Sequence, residues 1–83
     1  GLSKRKLRKW NDLTKQSVLN EGDIIYLEKK NKKADKGHEY HTVRGGESMW
    51  SISQVYGVRI SSIMKRNDLV SATVHAGQVL KLR

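Results

Sequence analysis

An α+β fold, ordered β-α-α-β around a two-stranded antiparallel sheet, is what the second half of this 83-residue chain predicts. Three observations carry that reading. Residues 41–44 (HTVR) alternate as a strand does and stop at Gly45-Gly46. Two short segments with helical apolar spacing follow, parted by Tyr56-Gly57. An Asn67-Asp68-Leu69 elbow and a loop containing Gly77 then lead into a closing apolar strand.

Each element has a local reason. In the strand 41–44, a period of two puts His41 and Val43 on one face and Thr42 and Arg44 on the other. Ser48 is an expected N-cap, because its hydroxyl can accept an orphan backbone N–H of the helix that follows. That helix places Met49, Ile52, Val55 and Tyr56 at helical spacing, and Ile52 with Val55 is expected in the core. Gly57 supplies the left-handed residue that ends it. The second helix is expected over 60–66, with Ile60, Ile63 and Met64 on one face. Val58 and Ile63 stand where a hydrophobic staple would hold the helix start. The closing strand, 78–83, turns Leu80 and Leu82 inward with Val43.

The first half of the chain repeats part of the second. GLSKRKLRKWNDL (1–13) aligns without a gap on GVRISSIMKRNDL (57–69), and EGDIIYL (21–27) meets AGQVLKL (76–82) after one residue of length difference. A duplicated structural unit is the ordinary cause of such a repeat. Only the second half of the unit is present, since nothing before it matches HTVRGGESMWSISQVY. By analogy, Ser3 caps a helix, Leu2 staples to Leu7, and a strand carries Ile25 and Leu27 inward. The cations Lys4, Arg5 and Lys6 oppose this helix, because its first turn carries the positive end of the dipole. KKNKKADKGH (29–38) is polar and aperiodic and reads as a linker. The expected division is therefore a partial unit at 1–29, a linker at 30–38 and a complete unit at 39–83.

The net charge of +9 is uneven. Residues 1–36 hold eleven Lys/Arg against five Asp/Glu, and 37–83 hold six against three. Such a surface favours anionic partners. The absence of cysteine excludes disulfides and thiolate metal sites. No apolar run approaches the roughly 18 residues of a membrane span. The chain opens Gly1-Leu2-Ser3 without Met and is expected to be an excised piece of a longer protein.

The stretch HTVRGGESMWSISQVYGVRISSIMKRNDL, closed by AGQVLKLR, resembles the LysM module. That resemblance implies a β-α-α-β unit that binds N-acetylglucosamine-containing glycan, such as bacterial peptidoglycan or chitin. It implies a monomeric, extracytoplasmic, non-catalytic module, often an appendage of cell-wall hydrolases such as glucosaminidases or amidases. It assigns the sugar to two loops: Gly46, Glu47, Ser48 and Met49, and Asp68, Leu69, Val70, Val74 and His75. An N-acetyl group offers an amide donor, a carbonyl acceptor and a methyl. Loop backbone can pair with the amide, while Met49, Leu69 and Val74 are candidates for an apolar floor. The chain departs from the usual pattern at Glu47-Ser48, Met49, His41 and Ala76, which leaves the preferred sugar open.

Several of these residues admit a second role. Met49 is either core or ligand floor. Trp50 either stacks on a sugar or covers a sheet edge. His38, His41 and His75 lack metal-ligand spacing, so no metal or cofactor is expected. Glycoside hydrolysis needs two carboxylates across a cleft, and Glu39, Glu47 and Asp68 are too few to expect one. The run KRKLRK (4–9), beside Trp10, reads as a solvated helix face. Attraction to an anionic wall polymer and nucleic-acid binding are its alternatives, and no nucleic acid is expected as partner.

Overall fold

Helix propensity, caps and glycines place the elements close to where the sequence puts them. The computed structural model describes residues 3–14 and 16–83. The order is α1 (Lys4–Trp10), β1 (Tyr40–Thr42), α2 (Met49–Tyr56), α3 (Ile60–Arg66) and β2 (Val79–Lys81). β1 and β2 pair antiparallel, with His41 opposite Leu80. The strands are shorter than expected, but the pairing continues past them: Val43 N donates to Gln78 O at 2.8 Å and Gly77 N to Val43 O at 2.7 Å.

The capping expectations hold in detail. The Ser48 hydroxyl accepts from Ser51 N, and Ser48 N donates back to the Ser51 hydroxyl, closing a reciprocal capping box. Gly57 ends α2 at φ 66°, a left-handed conformation that costs little only without a Cβ. Ser3 accepts from Lys6 N at the start of α1. Leu2, the expected staple partner of Leu7, lies outside the described residues. α3 has no side-chain cap of its own. Asp12 supplies one from elsewhere in the chain, accepting from Ile60 N at 3.3 Å and bringing negative charge to the positive end of the helix dipole.

Val43, Met49, Ile52, Val58, Ile63, Leu80 and Leu82 form the core, with Ala34. Ala34 belongs to the stretch expected as a linker, and that expectation is corrected here. Asn31 bridges to Val58 in parallel, Ala34 N donates to Leu82 O at 2.7 Å, and Leu82 N donates to Glu39 O at 2.7 Å. The segment thus closes an open edge of the small unit, satisfying backbone groups that two three-residue strands leave unpaired. Its polar composition hid this, because the contacts are made by backbone and one alanine.

Val55 is also corrected. It is 62% exposed, since it lies off the Met49–Ile52–Tyr56 stripe. A second face of α2 carries half-buried Trp50 with Ser53 and Gln54, spaced i, i+3, i+4. Ser53 and Gln54 are buried and polar, and the N-terminal segment covers them.

That segment reproduces the hydrogen bonds of its repeat. Asn11 Nδ2 donates to Leu7 O at 2.8 Å as Asn67 Nδ2 donates to Ile63 O at 2.7 Å. Asn11 brackets Tyr26, accepting its N–H at 2.7 Å and donating to its carbonyl at 2.8 Å. Asn67 brackets Lys81 identically, at 2.8 and 2.9 Å. Asp12 and Asp68 share a left-handed φ of 54° and 53°. What differs is the strand. Residues 23–27 form none, and Leu27 is 70% exposed, which corrects its expected inward place. The β1 that would pair with it has no counterpart in this half. Tyr26 turns inward instead, and its hydroxyl donates to Gln54 O at 2.6 Å.

Candidate functional site

The two loops expected to hold sugar are brought side by side by the backbone bonds between Val43 and residues 77–78. The first, 45–49, hangs between β1 and α2, and the second, 68–78, between α3 and β2. Gly46, Ser48, Asp68, Val70 and His75 are exposed; Glu47, Leu69 and Val74 are half-buried. Leu69 and Val74 pack against the core cluster that contains Met49. Met49 is 2% exposed, so it lies beneath the first loop as core and supports it from below. Val70, by contrast, is fully solvated.

Glu47 organises the first loop. Its Oε1 accepts from Arg44 N at 2.6 Å and lies 2.9 Å from His41 Nε2. The Arg44 amide first, then the His41 ring, holds the Glu47 carboxyl below its usual range. His41 Nδ1 lies 2.9 Å from the Tyr56 hydroxyl. A carboxylate, an imidazole and a phenol therefore run in series from the loop to the end of α2. In the second loop, His75 N donates to Gln78 Oε1 at 3.0 Å, which closes the turn before β2. Neither loop carries Lys or Arg, and the sequence has none from 45 to 58 or from 67 to 80. The pair presents open backbone, small apolar patches and little charge, which suits a neutral polyhydroxylated ligand.

Trp50 is half-buried. Its indole N–H donates to Asn11 O at 2.7 Å, beneath the N-terminal segment. Lys30 is the group that sequence reasoning missed. Its side chain is fully buried, and its ammonium donates to Asp12 Oδ2 at 2.6 Å, Gln54 Oε1 at 2.7 Å and the Ser53 hydroxyl. Burial pushes its pKa down, against the opposing pull of Asp12. A lysine inside KKNKK carries no sequence mark that separates it from its solvated neighbours. Among the described residues, no group of three His, Asp or Glu is placed to hold a metal ion. No helix there is long and apolar enough to cross a membrane.

A short β-α-α-β unit with two converging, weakly charged surface loops defines a small surface-binding module. The chain belongs to the LysM domain family, whose model matches residues 41–83. This is a binding domain, and the matched stretch is non-catalytic. The chain is similar to an autolysin of Enterococcus faecalis (strain ATCC 700802 / V583), 32% identical over 99% of this chain and 12% of that protein. It is 50% identical, over 51% of its length, to N-acetylmuramoyl-L-alanine amidase sle1 of Staphylococcus haemolyticus (strain JCSC1435). The amidase of the same name from Staphylococcus aureus (strain USA300) is 45% identical over the same share. Each amidase is covered over 13% of its own length. The chain thus spans about an eighth of the relatives it matches.

Proposed function

We propose that this chain binds N-acetylglucosamine-containing glycan, in bacterial peptidoglycan, as the extracytoplasmic targeting module of a cell-wall hydrolase. The observation that carries it is the juxtaposition of the 45–49 and 68–78 loops in a LysM unit. Relatives named as an autolysin and as N-acetylmuramoyl-L-alanine amidases support the wall as its setting. Backbone groups around Gly46 and Val74 pair with an acetamido group, Leu69 and Val74 receive its methyl, and Glu47 holds the first loop in shape. Residues 39–83 are the complete unit, and 1–29 are the second half of a preceding one. A single open groove binds weakly, and neighbouring units in a longer parent raise the avidity through effective concentration. The module acts as a monomer.

The test is an NMR titration of the chain with chito-oligosaccharides and then muropeptides. Amide shifts are expected at Gly46 to Met49 and Asp68 to His75, with residues 4–9 unmoved. Raising salt to about 0.5 M leaves the affinity nearly unchanged, because a neutral sugar releases no counterions. Shifts that map instead to 4–9 and vanish with salt refute the proposal.

A further inference from the structure

The cations that avoid the sugar loops collect elsewhere, and they are not scattered. Four surface clefts join into one belt. The first, of about 340 Å³, is lined by Lys9, Trp10, Lys29 and Arg59 with the Lys30–Asp12 pair at its base. It shares Lys29 and Arg59 with a second, of about 590 Å³, which adds Lys32, Lys33 and Arg83. Lys32 leads on to a third beside Lys65 and Arg66, and Lys9 leads to a fourth beside Arg5 and Arg8. The belt contains two carboxylates, Asp12 and Asp35. Asp12 is consumed by buried Lys30. Among the described residues, no other Lys or Arg makes a salt bridge. None of the nine expected sugar residues lines any of these clefts.

The fold makes this belt. The 29–36 stretch is pinned by backbone bonds to Gly57, Arg59 and Leu82. Lys29, Lys32 and Lys33 are thereby held on the outer edge, between α1 and the C-terminal end of α3. Arg59 Nε donates to Lys30 O at 2.9 Å, and Arg66 donates to Lys32 O at 3.2 Å. Both guanidiniums are braced along the same edge. Uncompensated cations held at fixed spacing along a continuous depression attract a repeating anion more strongly than an isolated one.

We infer that this module has a second binding face, separate from the sugar loops, for a phosphodiester-linked anionic polymer of the cell wall. The alternative polyanion, nucleic acid, fits less well. Single-strand binders stack bases on exposed aromatics. The belt holds one aromatic, Trp10, and it is half-buried. α1 is a seven-residue helix that, among the described residues, packs on no other helix, unlike the paired elements that place a helix in the major groove. Polymer binding and sugar binding would together favour wall carrying both chemistries over bare glycan.

The test uses the whole chain and purified poly(glycerol phosphate). Amide shifts are expected at Lys29, Lys32, Arg59 and Lys65 and not at 46–49 or 68–75. The logarithm of affinity should fall linearly with that of salt concentration. The triple variant Lys29→Gln, Lys32→Gln, Lys65→Gln changes only exposed side chains, and its amide spectrum should show the parent fold. Its salt slope should shrink by about 1 per lysine removed, while chito-oligosaccharide affinity stays at the parent value. No saturable binding at low salt, a parental slope in the variant, or a parallel loss of sugar affinity would each overturn the inference. Tighter binding of a single-stranded oligonucleotide with quenching of Trp10 would replace it with the nucleic-acid reading. Failure of the sugar titration alone leaves the polymer result standing, so the two proposals fail separately.

Discussion

Asn11 and Asn67 do the same work in two repeats at different depths, and substituting each by Ala separates depth from bonding. Asn11 is fully buried and its side chain makes four hydrogen bonds: to Leu7 O, to Tyr26 O, from Tyr26 N and from Gln54 Nε2. Asn67 is half-buried and makes three, to Ile63 O, to Lys81 O and from Lys81 N. A neutral hydrogen bond is worth about 1 kcal/mol net, and a buried partner left unsatisfied costs about 1–3 kcal/mol more. Asn11→Ala strands the Tyr26 amide and one of the two Gln54 Nε2 hydrogens, the other remaining on Ile24 O. Allowing for non-additivity, the loss is about 3 kcal/mol. Water replaces part of what Asn67→Ala removes, so its loss is about 1 kcal/mol. Local opening energies are read from amide exchange. The Tyr26 amide should exchange roughly 10²-fold faster in Asn11→Ala, and the Lys81 amide about fivefold faster in Asn67→Ala. Equal effects in the two variants, or unaltered Tyr26 exchange in the first, would show that the N-terminal segment is not held on α2 by this clamp.

Three further outcomes follow from the same geometry. Glu47 has a folded pKa below its ordinary one, so its contribution is complete above the unfolded value of about 4.3 and is lost as pH falls through the lower folded value. Acid titration should move the Arg44 amide in that window, and Glu47→Gln should abolish the movement; a window above pH 5 would contradict the assignment. Leu80 is fully buried between the sheet and the helices, and Leu80→Ala should cost about 2–5 kcal/mol, enough to leave so small a unit largely unfolded by circular dichroism. A cooperative melt at the parent temperature would exclude that role. Gly57→Ala puts a Cβ 3.1 Å from the Tyr26 hydroxyl at a φ of 66°, so urea denaturation should show a loss of about 1–2 kcal/mol, and an unchanged midpoint would refute the close approach.

Local grammar was legible before any coordinates. α3 stands at 60–66 because staple, apolar spacing and the Asn67-Asp68-Leu69 elbow all act within a few residues, and the Ser48 cap and Gly57 end bound α2 in the same way. The repeat was legible too, since the Asn-Asp-Leu elbow and the glycine before each last strand are short patterns that survive duplication. The sugar loops were named through the family resemblance, which matching residues 41–83 supports, and their closeness follows from antiparallel pairing alone.

Tertiary structure decided the rest, and the reason is shared: those features depend on what lies across space from a residue. Ser53 and Gln54 look like a solvated face until Asn11, Ile24 and Tyr26 are laid on them. Lys30 is chemically identical to Lys29 and Lys32, yet it alone is buried, because the parallel bridge at Asn31 turns it toward Asp12. Asp12 caps α3 from 48 positions away. The belt of cations exists only because backbone bonds from 31 to 39 lay a polar stretch along the edge of the unit, and composition contains no record of backbone bonds.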